Sequence, residues 1–138
     1  MALDEERNTR DYLYGRLLAV SEYAERTALT ISEENRPTNA ERLMPRFADH
    51  PCATWRTLEI QLIPYMQRLQ RSDKEYSQYA YKRVKALIEK ISDMFDADEF
   101  SSPQPLKGEF LLGYHCQRSA LYRKKNNPTS AEEKGEKA

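Results

Sequence analysis

Apolar residues recur at spacings of three and four along most of the chain, which is the spacing of one face of an α-helix. The first stripe predicts a helix of about eight turns and comprises Leu13, Leu17, Val20, Ala24, Ala28 and Ile31. A stripe in the middle of the chain comprises Trp55, Leu58, Leu62, Tyr65 and Leu69. The most regular stripe comprises Tyr76, Ala80, Val84, Leu87, Ile91 and Phe95, and the last comprises Leu106, Phe110, Tyr114, Gln117 and Leu121. No strand or hairpin signal accompanies them, so the chain is predicted to be helical.

Capping residues mark where three of these helices are predicted to begin. Asp4 can cap the first helix, and the acidic residues that follow it suit the positive end of a helix dipole. Thr38 and Glu41 have the spacing of a capping box, which opens a short second helix. Ser72 and Glu75 repeat that spacing at the start of the fourth helix.

Prolines and glycines interrupt the helical pattern at defined points. Pro37 ends the first helix before it, because the residue ahead of a proline is pushed out of helical geometry. Pro45 is predicted to end or kink the second helix, and Pro64 to bend the third. Gly108 and Gly113 lie in the last helical pattern, where each destabilises the helix by about 1 kcal/mol relative to alanine. Their presence predicts close approach of a neighbouring helix.

These segments predict an all-α protein, an antiparallel helical bundle of about five helices with long members. The linker DADEFSSPQP separates the fourth helix from the last. A chain of 138 residues has the size of one domain. Residues 1–125 are therefore assigned to a single helical-bundle domain, and residues 126–138 to a disordered polar tail.

Composition limits the class of protein and its compartment. Apolar residues make up 39% of the chain and charged residues 32%, which favours thin helical layers over a thick buried sheet. The longest apolar run is three or four residues, too short for a transmembrane helix or for the apolar region of a signal peptide. We therefore expect a cytoplasmic protein with no membrane partner, in which both cysteines are free thiols.

Two pairs of histidine and cysteine are the candidate metal ligands. His50, Cys52, His115 and Cys116 supply the number and kind of side chains that a closed zinc site uses. His115 and Cys116 are consecutive on a predicted helix, however, so they point about 100° apart and cannot easily hold one ion. We predict no metal and no other cofactor, with Cys116 a small buried residue and His115 at the edge of its helix. A metalloprotein is kept as the least favoured hypothesis.

Catalysis is not predicted. The sequence contains no phosphate-binding loop, no dinucleotide-binding glycine pattern, no H-E-x-x-H motif and no G-x-S-x-G motif. The acidic pairs Glu33–Glu34 and Asp98–Glu99 lie in predicted polar loops, where solvated carboxylates make weak general acids.

Charge is distributed unevenly, although 22 basic residues balance 22 acidic ones. Residues 51–90 carry eight basic and four acidic side chains, and residues 111–125 carry four basic and none acidic. An acidic stretch at residues 91–110 separates these two positive blocks. Local fields of this kind attract a polyanion even when the net charge is zero.

Two predicted helix faces combine these cations with tyrosines. Lysine and arginine neutralise phosphates without reading sequence, and an exposed tyrosine can stack on an unpaired base. The candidate nucleic-acid-binding residues of the first face are Arg68, Arg71, Lys74, Tyr81, Lys82 and Lys85. Those of the second face are His115, Arg118, Tyr122, Arg123, Lys124 and Lys125. A solvated face without a ligand is the alternative for both. Half-buried positions at helix seams are expected for Tyr12, Tyr14, Tyr23, Tyr65, Tyr76 and Tyr114.

The stretches NTRDYLYGRLLAVSEYAE near the start and GEFLLGYHCQRSALYRKK near the end carry a resemblance to a known family. They resemble the carboxyl end of the large subunit of the type I-C CRISPR Cascade effector, with the motifs YLYGRLLAV and F-x-x-GY-x-x-QR. In that family the same region is also translated separately as the small subunit. The similarity runs from about Leu3 to Lys125, specific at the two ends and looser between them.

The resemblance implies a non-catalytic small subunit of an RNA-guided CRISPR surveillance complex in antiviral defence. Its implied partners are the guide RNA, the target and non-target DNA, the backbone and large subunits of the complex, and further copies of itself. It would help to hold the guide RNA–target DNA duplex and the displaced strand. Because the family has no active site to carry over, the nucleic-acid role is attached to the two basic faces. The alternative is a helical protein–protein adaptor that does not touch nucleic acid.

Overall fold

The protein is helical in the residues that the structure, a computed structural model, describes, which are 2–29 and 36–123. Six helices occur in these ranges: α1 (Arg10–Ala28), α2 (Asn39–Asp49), α3 (Pro51–Arg71), α4 (Glu75–Met94), α5 (Ala97–Phe100) and α6 (Glu109–Arg123). No strand occurs in them. The all-α prediction is confirmed. The helix beyond the predicted five is α5, a single turn inside the predicted linker. The predicted tail at residues 126–138 lies outside the described residues.

Two antiparallel hairpins form the first part of the bundle. In α1 and α2, the Glu25 carboxylate accepts a 2.8 Å hydrogen bond from the backbone N–H of Asn39, while the Tyr14 ring packs on Phe47 toward the opposite ends. In α3 and α4, joined by residues 72–74, the side-chain amide of Gln78 donates to the carbonyl of Gln70 at 2.9 Å, and far from the connection Glu59 and Ile88 line the same groove. The predicted antiparallel arrangement of consecutive long helices is therefore found in both hairpins.

The first helix, α1, lies at the centre of the bundle and contacts α2, α3, α4 and α6. Its predicted stripe is buried at Leu13, Leu17, Val20, Ala24 and Ala28, while Ile31 lies outside the described residues. A helix with one apolar stripe would leave its other side in water. Here every residue from Tyr12 to Glu25 is buried, because the neighbouring helices cover α1 on all sides.

The last helix, α6, runs in the same direction as α1 and packs closely along it. Arg16 donates to the side-chain oxygen of Gln117 at 2.7 Å, and further along both helices the Tyr23 ring contacts the Tyr122 ring with centroids 5.6 Å apart. The end of α4 and the start of α6 both lie near the start of α1, where the Phe95 ring is 4.8 Å from the Tyr14 ring and Glu109 forms an ion pair with Arg7.

Two glycines allow this close approach between α1 and α6. A Cβ atom on Gly113 would lie 2.9 Å from the carbonyl carbon of Tyr12, and one on Gly15 would lie 2.6 Å from the backbone nitrogen of Tyr114. Close approach at Gly113 is therefore confirmed, and Gly15 supplies the matching position on α1. The same prediction for Gly108 is wrong, because that residue precedes α6 and has open space around its Cα.

The apolar stripes of α3, α4 and α6 pack around α1 and complete the core. One predicted position in these stripes is wrong. In α4 the buried residues are Ser77, Ala80, Val84 and Ile91, so Tyr76 lies outside the stripe and is 58% exposed. Its predicted burial is wrong because the adjacent Ser77, a small polar residue, takes the inward position. None of the helices in the two described ranges is long and apolar enough to cross a membrane.

The predicted helix starts are partly confirmed. The capping box of Thr38 and Glu41 is present, with the Glu41 N–H donating to the Thr38 hydroxyl at 3.1 Å and the Thr38 N–H donating to the Glu41 carboxylate at 2.8 Å. The other two starts are wrong. The first helix begins at Arg10 rather than near Asp4, whose carboxylate accepts from a nearby backbone N–H. The N-cap of α4 is Lys74, so no capping box joins residues 72 and 75.

Prolines do not end the helices in which they lie. Pro45 was predicted to end or kink α2; it lies inside that helix, which continues to Asp49, so the helix does not end there. Pro64 is inside α3, which continues to Arg71. Both prolines are exposed, and each removes one backbone N–H donor while the tertiary packing of the other face holds the helix.

Candidate nucleic-acid interface

The exposed cations of the first predicted face lie at the α3–α4 connection and along α4. Arg68 and Arg71 are in the last turn of α3, and Lys74 is the N-cap of α4. Lys82 and Lys85 follow on α4, three residues apart, so they are neighbours on the helix surface. All five side chains are exposed. The five residues lie at the end of α3, at the connection and along the first three turns of α4, and together we call them the α3–α4 basic surface.

Most cations of this surface have no carboxylate partner. Within the described part of the chain, no ion pair involves Arg71, Lys74, Lys82 or Lys85. Several cations elsewhere are matched, as in the ion pairs of Arg7 with Asp4 and Glu109, Arg26 with Glu41, Arg36 with Glu25, and Lys90 with Glu5. A matched pair presents little net field to an approaching polyanion, whereas an unmatched cation presents its full charge.

Tyr81, the aromatic residue predicted for this surface, is half-buried. It packs against the hydrophobic core and lines an open groove between α3 and α4. The ammonium of Lys85 lies 6.0 Å from its ring centroid, at the outer limit of a cation–π contact. Its ring therefore serves the packing of α3 on α4, with only part of its area facing water.

Arg118 of the second predicted face is held by a buried carboxylate. Its Nε atom lies 3.2 Å from Oε1 of Glu22, a residue of α1 with no exposed side-chain surface. The Tyr114 hydroxyl donates to both oxygens of the same carboxylate at 2.9 and 3.0 Å. Burial raises the pKa of Glu22 above its ordinary value, while the hydrogen bond from Tyr114 and the charge of Arg118 act against that shift. The charge of Arg118, which is 46% exposed, is thus partly neutralised from within.

Tyr122 is also engaged inside the protein. Its ring packs edge-on against Tyr23, and the guanidinium of Arg118 lies 5.6 Å from its ring centroid. Its hydroxyl is buried without a hydrogen-bond partner among the described residues, and burial raises the pKa of Tyr122 to about 12. The ring offers little surface to a nucleobase in this arrangement.

The remaining residues of the second face point outward or lie outside the described ranges. His115 is exposed beside the Tyr114 ring, with centroids 5.0 Å apart, and Arg123 is exposed at the end of α6. Lys124 and Lys125 follow directly and lie outside the described residues. Within residues 36–123, no hydrogen bond, ion pair or ring contact joins His115 or Arg123 to Arg71, Lys82 or Lys85, and the two predicted faces are connected through another residue.

That residue is Arg83 of α4, which the sequence did not single out. Its two terminal nitrogens donate to the carbonyls of Leu121 and Ala120 in the last turn of α6, at 3.3 and 3.4 Å. These orphan carbonyls are a favourable site for a cation because the helix dipole makes that end negative. Arg83 therefore fixes the carboxyl end of α6 beside the middle of α4, which brings Arg123 toward the α3–α4 basic surface.

The histidine and cysteine pairs do not assemble a site in the described residues. Cys116 is buried as predicted, Cys52 is half-buried, and both are free thiols. His50 and His115 are exposed. Within residues 2–29 and 36–123, no group of three or more His, Cys, Asp and Glu side chains could hold a metal ion.

Comparison with protein families matches residues 1–122 to the family described as CRISPR-associated protein (Cas_Csd1). The chain belongs to the Cas_Csd1 family. The match covers all six helices except the last residue of α6, so the basic residues of α3 and α4 lie within the matched residues. Membership supports a CRISPR-associated protein of the Cascade type. Comparison with curated proteins gives no match.

Proposed function

We propose that this Cas_Csd1 chain is a non-catalytic small subunit of a type I-C Cascade complex that stabilises the guide RNA–target DNA duplex and the displaced DNA strand. Its partners would be the guide RNA, both DNA strands, the backbone and large subunits, and further copies of itself, in the cytoplasm. Membership of a CRISPR-associated family supports this assignment at the level of the complex. The role of the chain within the complex rests on its charge distribution.

The observation that carries the proposal is the concentration of unmatched cations on the α3–α4 basic surface. Arg71, Lys74, Lys82 and Lys85 are exposed and have no carboxylate partner in the described residues. Such cations attract a phosphate backbone independently of base sequence. In RNA-guided recognition, base pairing supplies sequence specificity and the exchange of duplexes is nearly balanced, so a modest electrostatic contribution shifts it.

The second face contributes less in this proposal than the sequence suggested. Arg118 shares its charge with Glu22, and the ring of Tyr122 is packed against Tyr23. His115 and Arg123 are the exposed members of this face in the described residues. We therefore assign the main phosphate contacts to α4 and the α3–α4 connection, with Arg123 extending them toward α6.

A non-catalytic role is part of the proposal. Glu22 combines a raised pKa with neighbouring tyrosine and arginine side chains, a combination that can mark a general acid. However, Glu22 is completely buried, and its oxygens are occupied by Tyr114 and Arg118. A substrate cannot reach it, so this cluster is best explained as a structural contact between α1 and α6.

The test is reconstitution of the effector complex with and without this chain, followed by measurement of target-DNA binding. Omission should weaken binding, and the Lys82→Glu/Lys85→Glu variant should weaken it to a similar extent for every target sequence, because phosphate contacts carry no sequence information. Lys107→Glu, a charge reversal of an exposed lysine outside the α3–α4 basic surface, is the matched control. Equal affinity of the complex with and without the chain would contradict the proposal.

A protein–protein adaptor is the second candidate, and α3 carries the observation that favours it. Ile60 and Ile63 are 68% and 52% exposed, next to an open groove of about 260 Å³ between α3 and α4. Exposed aliphatic side chains beside a groove suit an apolar protein contact. Ile60→Ser/Ile63→Ser should then prevent incorporation into the complex without changing the response of the isolated chain to DNA.

A further inference from the structure

Tyr76 and Tyr79 are exposed on α4, in contrast to the other tyrosines of the chain. They are 58% and 53% exposed, whereas the remaining seven of the nine tyrosines, all within the described residues, are buried or half-buried. The two residues are one turn apart, so their side chains are neighbours on the helix surface. The buried side of α4, at Ala80 and Val84, is already filled, and the core has no place for either ring.

Cations flank both rings. The ammonium of Lys74 lies 5.8 Å from the ring centroid of Tyr76, and the guanidinium carbon of Arg83 lies 5.8 Å from that of Tyr79. Arg83 is anchored by the carbonyls at the end of α6, so its position beside Tyr79 is fixed by the fold. The surface neighbours of Tyr79 along the helix are Glu75, Tyr76, Lys82 and Arg83, which give a net positive charge.

We propose that Tyr76 and Tyr79 form a stacking site for unpaired nucleobases of a single-stranded nucleic acid, with Lys74, Lys82 and Arg83 facing its phosphates. This inference rests on the proposed function and names the part of the nucleic acid that α4 contacts. Every nucleobase has a face that can stack on an aromatic ring, and a basic surface that follows the backbone completes a single-strand site. A paired strand hides those faces inside the duplex, so the exposed rings favour unpaired nucleotides.

Charge complementarity distinguishes this occupant from a protein partner. Lysine is depleted at the core of protein–protein contacts, so exposed apolar residues without lysines, such as Ile60 and Ile63 on α3, suit a protein partner better. The rings of α4 instead lie among lysine and arginine side chains. Aromatic rings between cations match a ligand that alternates flat bases with phosphates.

The experiment measures binding of the full chain to two labelled oligonucleotides of equal length at low salt. One is a single strand with all its bases, and the other is an abasic strand with the same number of phosphates. Tyr76→Ala/Tyr79→Ala should lower affinity for the base-containing strand about thirtyfold or more, since each stacked base contributes about 1–3 kcal/mol. Affinity for the abasic strand should change less than about twofold, because the phosphate contacts remain.

Tyr76→Phe/Tyr79→Phe keeps both rings and should bind within about threefold of the unchanged chain, because stacking needs the ring and not the hydroxyl. An unchanged thermal unfolding curve for both variants is expected, since the two side chains are exposed.

Three results would overturn the inference. If Lys82→Glu/Lys85→Glu weakens binding to both strands while the alanine variant weakens neither, the stacking site is wrong and the proposed function stands. If the alanine variant binds both strands normally but no longer joins the effector complex, the rings are a protein contact. If the unchanged chain binds neither strand, the stacking site and the proposed nucleic-acid role both fail.

Discussion

Charged side chains of the central helix α1 are held inside the protein by partners on α6. Glu22 accepts hydrogen bonds from Tyr114 and lies in an ion pair with Arg118, while Arg16 donates to Gln117. Burial lowers the pKa of Arg16 and raises that of Glu22, because it disfavours the charged form of each side chain. A buried charge without a partner would cost several kcal/mol. These contacts therefore specify how α6 docks on α1.

The pH dependence of stability gives a test of the Glu22 contact. Because the folded pKa of Glu22 is above its ordinary value, the folded protein binds more protons than the unfolded chain in the window between the two pKa values. The stability from this residue is complete below the unfolded pKa, near 4.3, and is lost as the pH rises through the folded value. Glu22→Gln cannot titrate, so the difference in unfolding free energy between the unchanged chain and this variant should fall as the pH rises.

Urea unfolding at several pH values measures that difference. Glu41 provides the matched control, because its folded pKa is lowered by the Thr38 backbone N–H and by Arg26, against the opposing effect of burial. The contribution of Glu41 is present above its unfolded pKa and lost as the pH falls. The difference for Glu41→Gln should therefore change with pH in the opposite direction. A pH-independent difference for Glu22→Gln would contradict the assignment.

The sequence predicted which charged side chains are exposed better than it predicted which residues they contact. Lys82 and Lys85 are exposed on α4 as expected, because helical spacing alone placed them away from the apolar stripe. Arg118 was expected on the same grounds to face the phosphates of a nucleic acid. In the structure its guanidinium also lies in an ion pair with Glu22. Spacing along one helix cannot reveal a carboxylate that another helix brings near. The exposed ring of Tyr76 was missed because helical spacing placed it in the apolar stripe of α4.

At the scale of elements, the stripes predicted which helices exist and which side of each is buried. Thr38 and Glu41 form the predicted capping box because both partners lie at a true helix start. The same spacing failed at Ser72 and Glu75, where α4 begins two residues later than a cap at Ser72 requires. The apolar stripe also did not predict that neighbouring helices cover α1 on all sides. It depends on the glycines that let α6 approach, and Gly15 gave no signal inside a regular apolar stripe.

The contact between α1 and α6 should be sensitive to a single methyl group. Gly113→Ala places a Cβ atom 2.9 Å from the carbonyl carbon of Tyr12, and a backbone neighbour cannot rotate away as a side chain can. We expect the free energy of unfolding to fall by about 3 kcal/mol or more, at the upper end of the range for overpacking. Gly108→Ala is the matched control, since nothing lies within 4 Å of its Cβ position, and it should leave stability nearly unchanged. Equal effects of the two substitutions in urea unfolding would argue against a close helix contact.

At the scale of the whole molecule, the ion pairs distinguish matched from unmatched cations on the surface, which composition alone does not do. The chain is neutral, yet its ion pairs are formed mainly by cations near the amino terminus, such as Arg7 and Arg26, and by Lys90 with Glu5. By contrast, Arg71, Lys74, Lys82 and Lys85 of the α3–α4 basic surface form no ion pair within the described residues. The two positive blocks of the sequence have equal net charge, but only the three-dimensional arrangement shows that Arg118, in the second block, is partly neutralised by Glu22.

This division predicts the salt dependence of DNA binding. If about four cations of the α3–α4 basic surface contact phosphates, the logarithm of the affinity for duplex DNA should fall with the logarithm of salt concentration with a slope of about −3 to −4, since each contact releases counterions. Lys82→Gln should reduce the magnitude of the slope by about 0.9. Lys90→Gln is the matched control, because its ammonium lies 3.6 Å from the Glu5 carboxylate and should leave the slope unchanged. An apolar adaptor surface would give affinities that change little with salt, so a slope near zero for the unchanged chain would favour the adaptor.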